Sequence, residues 1–344
     1  MIEGADITHR SHSASTMFAG FQAGEIDVEA TTIAARWRGD GPAVLLLHGF
    51  PQTQIMWRKV APALVEDFFV VCADPRGYGA SGKPPSTPDH APYAKDAMAA
   101  DMVAFMEHLG FERFSVVGHD RGGRAAFRLA LNHADRIDRL AVLDVVPTGD
   151  ALDRADARLA LGYWPWSLFA QPAPLPERLI AAAPDAFVDA ALGGWGSSAE
   201  TFADHIRGMY IDALRDRATA HAICEEYRAA ATLDWAADCH DRAAGRQIDA
   251  PTLVLWAASG PLDSWYEDAG GPLGIWRTWA HKATSQPLAG GHFFPEENPD
   301  ATLGALRTFM SQKHTESPPS AANAGAEKES AIVSVELNQG QRFD

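Results

Sequence analysis

Five nearly continuous apolar runs, each the length of a β-strand, recur along the chain. They lie at 43–48 (AVLLLH), 68–73 (FFVVCA), 114–118 (FSVVG), 140–144 (LAVLD) and 252–257 (TLVLWA). Strands that are apolar on both faces are typical of parallel sheets covered by helices on each side. The pattern therefore predicts a mostly parallel β-sheet.

A helical pattern separates two of these runs. Met98, Met102, Phe105, Met106 and Leu109 recur at helical spacing, and Gly110 follows them. This spacing is typical of an amphipathic helix that ends near the glycine. Alternation of strands and helices predicts an α/β fold with helices on both faces of the sheet.

The alternation is interrupted by an aromatic-rich segment at 149–246, which lies between two of the predicted strands. We interpret it as a helical lid over the carboxyl edge of the sheet, where open α/β sheets bind ligands. The core then comprises 17–148 and 247–312. Residues 1–16 are polar and predict a flexible segment, and 313–344 predict a disordered tail. Within the tail, the run at 332–337 could also form a short strand or a partner motif.

Composition and charge exclude several classes of protein. Of 344 residues, 47% are hydrophobic and 22% charged, which excludes a chain disordered throughout. The formal charge of −16 argues against nucleic acid as a partner. Cys72, Cys224 and Cys239 are too far apart to indicate a disulfide framework or a zinc site. No apolar run approaches the ~20 residues that span a bilayer, and the first residues do not resemble a secretory signal. We therefore expect a cytoplasmic protein with no membrane partner.

The stretch Gly118-His119-Asp120-Arg121-Gly122 joins a predicted strand to a predicted helix. It has the G-x-nucleophile-x-G pattern of the α/β-hydrolase elbow, with aspartate where serine is more usual. Glycines on both sides allow the sharp turn to form without Cβ clashes. Asp120 is therefore the candidate nucleophile.

Two further turns complete the candidate chemistry. His48-Gly49-Phe50-Pro51 follows the first apolar run, and in this fold the backbone N–H groups of Phe50 and Arg121 would form an oxyanion hole. His292, late in the chain, is the candidate general base. Its acid partner is Asp144, at the end of one predicted strand, or Asp263, shortly after another. We favour Asp144.

These motifs resemble the fluoroacetate, or haloacetate, dehalogenases of the α/β-hydrolase fold, over about residues 17–312. The resemblance is carried by HGFPQT (48–53), GHDRGGR (118–124), LDVVPT (143–148), FAQPAPLPE (169–177), CEEYRA (224–229) and GGHFFPEE (290–297). It implies a homodimeric enzyme with an aspartyl ester intermediate. It also leads us to favour Asp144 over Asp263 as the acid partner of His292.

Arg121 and Arg124 lie three residues apart beside Asp120, on the first turn of one predicted helix. Guanidinium groups match carboxylates with paired hydrogen bonds. The pair could therefore hold a substrate carboxylate with its α-carbon against Asp120, and the resemblance assigns both residues to that role. Pairing of these arginines with surface acids is the alternative.

The resemblance also implies a halide pocket made of His, Trp and Tyr side chains from the lid. Trp166 and Tyr227 match two of them, but Pro165 stands where the histidine would be. Proline has no side-chain donor. Because fluoride depends most on strong donors, we expect fluoride to leave more slowly than chloride or bromide.

The sequence therefore predicts a hydrolytic dehalogenase of short 2-haloacids, which converts haloacetate and water to glycolate and halide. No metal or organic cofactor is implied, since the sequence has no HExxH, no Walker loop and no GxGxxG directly after a predicted strand. An epoxide hydrolase or another carboxylate-nucleophile hydrolase is the alternative, with Tyr163, Tyr210 and Tyr227 as lid tyrosines. A non-catalytic binder of small carboxylates is a third reading.

Overall fold

The computed structural model describes residues 16–312. The predicted tail at 313–344, the run at 332–337 and all but the last residue of the segment at 1–16 lie outside the described residues. Nothing in the structure tests those three predictions.

An eight-stranded sheet forms the centre of the described chain. Its spatial order is β1-β2-β4-β3-β5-β6-β7-β8. β1 pairs antiparallel with β2, and β2 pairs antiparallel with β4, whereas β3 to β8 run parallel. The strands are β1 (Gln22–Val28), β2 (Thr31–Arg38), β3 (Ala43–Leu47), β4 (Phe69–Ala73), β5 (Phe114–His119), β6 (Ile137–Leu143), β7 (Thr252–Ala257) and β8 (Ala283–Leu288).

The five apolar runs are all strands, as predicted, and they form the interior of the sheet. In β3 and β5 every residue is buried, because helices cover both faces. β1 and β2 were not predicted as separate strands. They lie towards one edge of the sheet, and most of their positions are exposed or half-buried, so they lack a continuous apolar run.

The helices of the core cover the sheet. The predicted amphipathic helix is α2, and it ends at His108, before Gly110, whose φ is +89°. The α-helices outside the lid are α1 (Ala61–Leu64), α2 (Lys95–His108), α3 (Arg121–Asn132), α12 (Leu262–Trp265), α13 (Gly271–Arg277), α14 (Phe294–Glu297) and α15 (Pro299–Met310).

The interval between β6 and β7 is helical. It contains α4 (Thr148–Asp153), α5 (Ala157–Gly162), α6 (Trp164–Phe169), α7 (Leu175–Ala182), α8 (Pro184–Leu192), α9 (Asp204–Arg215), α10 (Arg217–Ala229) and α11 (Trp235–Ala243). A π-helical turn, Ala230–Asp234, joins α10 to α11. These elements occupy the segment that the sequence analysis interpreted as a lid. None of the helices within residues 16–312 is long and apolar enough to cross a membrane.

Candidate active site

Asp120 lies on the turn between the end of β5 and the start of α3, in a conformation that few non-glycine residues adopt. Its φ is 49° and its ψ is −117°. The flanking glycines make this turn possible. A Cβ on Gly118 would lie 2.4 Å from the carbonyl oxygen of Gly122, and a Cβ on Gly122 would lie 2.4 Å from that of His48. Larger residues at either position would force the turn apart.

The Asp120 carboxylate has a different environment at each oxygen. Oδ1 accepts a hydrogen bond from the backbone N–H of Phe50 at 3.0 Å. Oδ2 lies 3.6 Å from a guanidinium nitrogen of Arg124 and 4.0 Å from Nε2 of His292. Burial alone would raise the pKa of Asp120, but the charges of His292, Arg124 and Arg121 outweigh it and lower that pKa below its usual range. The carboxylate is therefore ionised at neutral pH.

Both predicted oxyanion donors lie beside this carboxylate. A Cβ on Gly49 would come within 2.3 Å of Asp120 Oδ1 and 2.7 Å of the backbone nitrogen of Arg121. Glycine at position 49 therefore allows Oδ1 to approach both the Phe50 and the Arg121 N–H groups.

His292 is paired with Asp144 in a buried contact. Its Nδ1 lies 2.6 Å from Asp144 Oδ2, and Asp144 Oδ1 accepts from the backbone N–H of Ala257 at 2.8 Å. Nε2 of His292 is buried and has no hydrogen-bond partner among the described residues. Asp263, the alternative acid, is exposed on α12. The contact thus involves the favoured residue, Asp144, while its catalytic role stays a prediction.

His119, inside the elbow pattern, supports the His292 backbone. Its Nε2 lies 2.8 Å from the carbonyl oxygen of His292, and the two rings are 4.6 Å apart. Burial, the largest cause, together with the neighbouring His292 lowers the pKa of His119 to about 3. A neutral His119 that donates to this carbonyl therefore fixes the loop carrying His292.

The two arginines occupy different positions. Arg124 lines the pocket beside Asp120, and its guanidinium carbon lies 4.7 Å from the ring centre of Trp166. Its Nε is buried without a hydrogen-bond partner within residues 16–312. Burial and the nearby charge of Arg121 lower the pKa of Arg124. Arg124 therefore carries a positive charge that its surroundings compensate only partly.

Arg121 is engaged by a buried acid, not by a surface acid. Nε and one terminal nitrogen of Arg121 each lie 2.7 Å from Glu226 Oε1. The guanidinium carbon also lies 4.0 Å from the ring centre of Tyr227. The other terminal nitrogen is buried and has no partner in the described chain. Both hydrogens of this nitrogen are therefore free, although Arg121 is not among the residues that line the pocket.

Glu226 is a residue that the sequence analysis did not assign. It lies on α10, is fully buried and also accepts from the Tyr78 hydroxyl at 2.6 Å and from the Lys95 ammonium group. The CEEYRA stretch was the only signal that could have indicated it. The three residues that Glu226 contacts come from distant parts of the chain, so no local spacing could reveal the cluster.

A narrow pocket with a cavity volume of about 10 Å³ lies above Asp120, far smaller than typical ligand cavities of ~300–1,000 Å³. Its lining combines the elbow with lid and loop residues: Phe50, Asp120, Arg124, Asp144, Tyr163, Pro165, Trp166, Trp195, Tyr227 and Leu262. The predicted halide residues Trp166 and Tyr227 are thus brought to the pocket, and so is Pro165. Of the other lid tyrosines, Tyr163 lines it, whereas Tyr210 donates to Glu296 at 2.7 Å.

Three charged residues near these motifs have structural partners. Asp74 Oδ1 accepts from the backbone N–H of Gln54 at 2.7 Å. Arg76 donates to the carbonyl oxygen of Pro92 at 2.7 Å. Arg128, one helical turn beyond Arg124, forms ion pairs with Asp96, Asp238 and Asp241.

One group of metal-ligating residue types occurs within residues 16–312. Ligand atoms of Glu177, His221 and Glu225 lie within 4.8 Å of one another. Arg228 donates to both carboxylates at 2.7 Å, so their charges are already paired. Glu177 and His221 line a surface pocket separate from the one above Asp120. The cluster is therefore not part of the candidate active site.

Comparison with known proteins identifies relatives over most of the chain. The family model of the alpha/beta hydrolase fold matches residues 42–299. The fluoroacetate dehalogenase of Burkholderia sp. is 44% identical over 299 residues, which are 86% of this chain and 95% of that protein. The soluble epoxide hydrolase of Corynebacterium sp. (strain C12) is 43% identical over 109 residues, 32% of this chain and 36% of that protein.

A solved structure agrees with the fold. ALR0039 from Nostoc sp. PCC 7120 has a TM-score of 0.83 and 41% sequence identity, with coverage of 86% of this chain and 100% of that chain. The predicted fold class is therefore confirmed.

Proposed function

We propose that this chain, which belongs to the fluoroacetate dehalogenase family within the alpha/beta hydrolases, hydrolyses short 2-haloacids through an ester on Asp120. The chain is a hydrolase that acts on carbon–halide bonds. The proposal extends this to a substrate class, haloacetate first, and to the residues that carry out the reaction.

The buried Arg124 guanidinium beside Asp120 carries the proposal. A partly compensated cation 3.6 Å from a carboxylate nucleophile favours a substrate with its own negative charge. The free nitrogen of Arg121 adds a second donor. A haloacetate held by these arginines would present its α-carbon to Asp120 Oδ2.

In the first step, Asp120 Oδ2 attacks the α-carbon and forms a carbon–oxygen bond. The halide leaves with the electron pair of the carbon–halogen bond. Trp166 and Tyr227 line the pocket and can donate to the departing anion. Because Asp120 is already ionised, this step needs no base.

In the second step, water attacks Cγ of the ester. His292 Nε2 takes a proton from the water, and Asp144 stabilises the resulting imidazolium. The N–H groups of Phe50 and Arg121 hold the negative oxygen of the tetrahedral intermediate. Collapse of the intermediate expels glycolate, which takes the proton from His292, and one proton is released as the Asp120 carboxylate reforms.

An epoxide hydrolase is the rival function. The partial match to the Corynebacterium enzyme and the pocket-lining tyrosines Tyr163 and Tyr227 favour it. An epoxide carries no charge, however, and would add no negative charge beside Arg124. Turnover of an uncharged epoxide faster than chloroacetate would replace our proposal with the rival.

The decisive experiment is halide release from fluoro-, chloro- and bromoacetate by the purified protein, with Asp120→Asn as an inactive control. Single turnover in heavy-oxygen water should label Asp120 before it labels glycolate. Label found only in glycolate would refute the ester intermediate. His292→Ala should accumulate the ester, which separates an enzyme from a binding protein.

A further inference from the structure

Tyr163, the N-cap residue of α6, has a hydroxyl group that nothing in the described chain accounts for. The side chain is 8% exposed, and the hydroxyl is buried without a hydrogen-bond partner within residues 16–312. The same residue lines the pocket above Asp120. A buried donor without a partner thus belongs to a residue of the pocket lining.

The ring of Tyr163 is fixed by aromatic neighbours. Its centre lies 4.8 Å from that of Trp265, 5.3 Å from that of Trp195 and 6.2 Å from that of His292, all with edge-on geometry. Edge-on aromatic contacts stabilise one orientation of a ring. A fixed ring offers its hydroxyl to a ligand at little entropic cost.

The charged groups around the hydroxyl indicate which part of a substrate it faces. Asp144, Asp120 and Arg124 act on it electrostatically. Asp120 and Arg124 act on the hydroxyl of Tyr227 as well, together with Arg121 and Glu226. Tyr163 lines the same pocket as Arg124, and burial raises the pKa of Tyr163 well above the usual value, so it stays a donor at neutral pH.

We propose that the Tyr163 hydroxyl donates a hydrogen bond to the substrate carboxylate beside Arg124. The inference rests on the proposed function and adds a substrate-binding residue to it. Part of the Arg121 guanidinium is occupied by Glu226, so the two arginines leave acceptor sites of a carboxylate unfilled. Tyr163 supplies the missing donor.

The indole N–H groups of Trp195 and Trp164 do not take the place of the Tyr163 hydroxyl as donors to the carboxylate. The indole N–H of Trp195 donates to the carbonyl oxygen of Gly162 at 2.6 Å, so it is already used. Trp164 packs against Phe169 and Phe187 and is not among the residues that line the pocket. Neither indole therefore offers a free donor to a ligand in this pocket.

The test compares Tyr163→Phe with Tyr93→Phe. Tyr93 is also buried, but its hydroxyl donates to the carbonyl oxygen of Pro84 at 2.6 Å and it does not line the pocket. Tyr163→Phe should raise KM about tenfold or more, by the same factor for chloroacetate and bromoacetate, and leave kcat nearly unchanged. Tyr93→Phe should leave both constants unchanged.

Glycolate binding, measured by calorimetry, gives a readout that does not depend on turnover. Tyr163→Phe should weaken it by a similar factor. An unchanged KM and glycolate affinity would refute the proposal. A loss in kcat that is larger for chloroacetate than for bromoacetate would also refute it, because the hydroxyl would then act on the halide.

Failure of the proposed function can be distinguished from failure of the inference about Tyr163. If the wild type releases no halide from any haloacetate, the proposed function fails, while glycolate affinity still decides the role of Tyr163. If the wild type releases halide and both variants behave alike, only the inference about Tyr163 fails.

Discussion

Glu226→Gln removes one negative charge from a buried cluster and keeps the size of the side chain. Glu226 contacts Arg121, Lys95 and Tyr78, and all four side chains are buried. Lys95 would then face only Asp234, at 3.9 Å, and Arg121 would lose its only ion pair among residues 16–312. The variant therefore leaves two buried cations poorly compensated.

The pKa of Glu226 gives the magnitude. Burial alone would raise this pKa, but the charges of Arg121 and Lys95 lower it from 4.5 to about 2. At about 1.4 kcal/mol per pH unit, the ionised carboxylate stabilises the fold by about 3 kcal/mol. Breaking a buried ion pair by removing one partner costs a similar ~3–5 kcal/mol. We therefore expect Glu226→Gln to lower the free energy of unfolding by about 3 kcal/mol at pH 7.

The dependence on pH follows from the sign of the shift. A carboxylate whose pKa is lower in the folded state stabilises the fold above its unfolded pKa, and the stabilisation is lost as the pH falls towards the folded pKa. The difference between wild type and variant should thus be full at pH 7 and should shrink below about pH 4.5. Urea unfolding followed by tryptophan fluorescence at several pH values measures it.

Glu225→Gln is the matched control on the same helix. Glu225 pairs with Arg228, which keeps Glu177 as a second partner, so its loss should cost clearly less. We also expect Glu226→Gln to lower kcat/KM for chloroacetate, because Arg121 loses its anchor. A stability loss below about 1 kcal/mol, or one that does not change with pH, would refute our account of this cluster.

Further predictions concern single side chains. Arg124→Lys should lower kcat/KM for chloroacetate, by a loss of about 2–4 kcal/mol in transition-state stabilisation. If haloacetamides were turned over as fast as haloacetates, the role of Arg124 in binding the carboxylate would be refuted. The wild type should release chloride and bromide faster than fluoride, and Pro165→His should raise fluoroacetate turnover selectively, by up to ~10²–10³-fold, with chloroacetate as the control. Burial raises the pKa of Asp238 to about 7, so its protonated form stabilises the fold at low pH and this contribution is lost as the pH rises through about 7. The Tm of the wild type should therefore fall between pH 5 and 8, and the Tm of Asp238→Asn should fall less over the same range.

The inner strands of the sheet could be predicted because strands that are buried on both faces have nearly continuous apolar sequences. β3, β4, β5, β6 and β7 all correspond to apolar runs, and the elbow at Asp120 follows from glycines that the turn requires. β1 and β2 have no such run because most of their positions are exposed or half-buried. Their pairing depends on neighbours that only the folded chain brings together.

Spacing could not decide between Asp144 and Asp263. Both follow parallel strands that end at the same edge of the sheet, so either could have approached His292 from the sequence alone. The folded chain puts Asp144 directly after β6, beside β5 and the elbow, while Asp263 lies on the exposed start of α12. The Glu226 cluster was equally hidden, because Lys95 and Glu226 are 131 residues apart.

The hydrogen bond from Phe50 to Asp120 Oδ1 predicts which oxygen of this carboxylate is exchanged with water in each turnover. In the proposed mechanism the oxyanion forms at Oδ1, which Phe50 already holds, so Oδ2 leaves in glycolate and the oxygen of water takes its place. If the carboxylate does not rotate between turnovers, that new oxygen is the next nucleophile. In heavy-oxygen water the first glycolate then carries none of the label in its hydroxyl group, and the second carries it almost completely. If the carboxylate rotated freely between turnovers, half of the second glycolate would carry the label in its hydroxyl group.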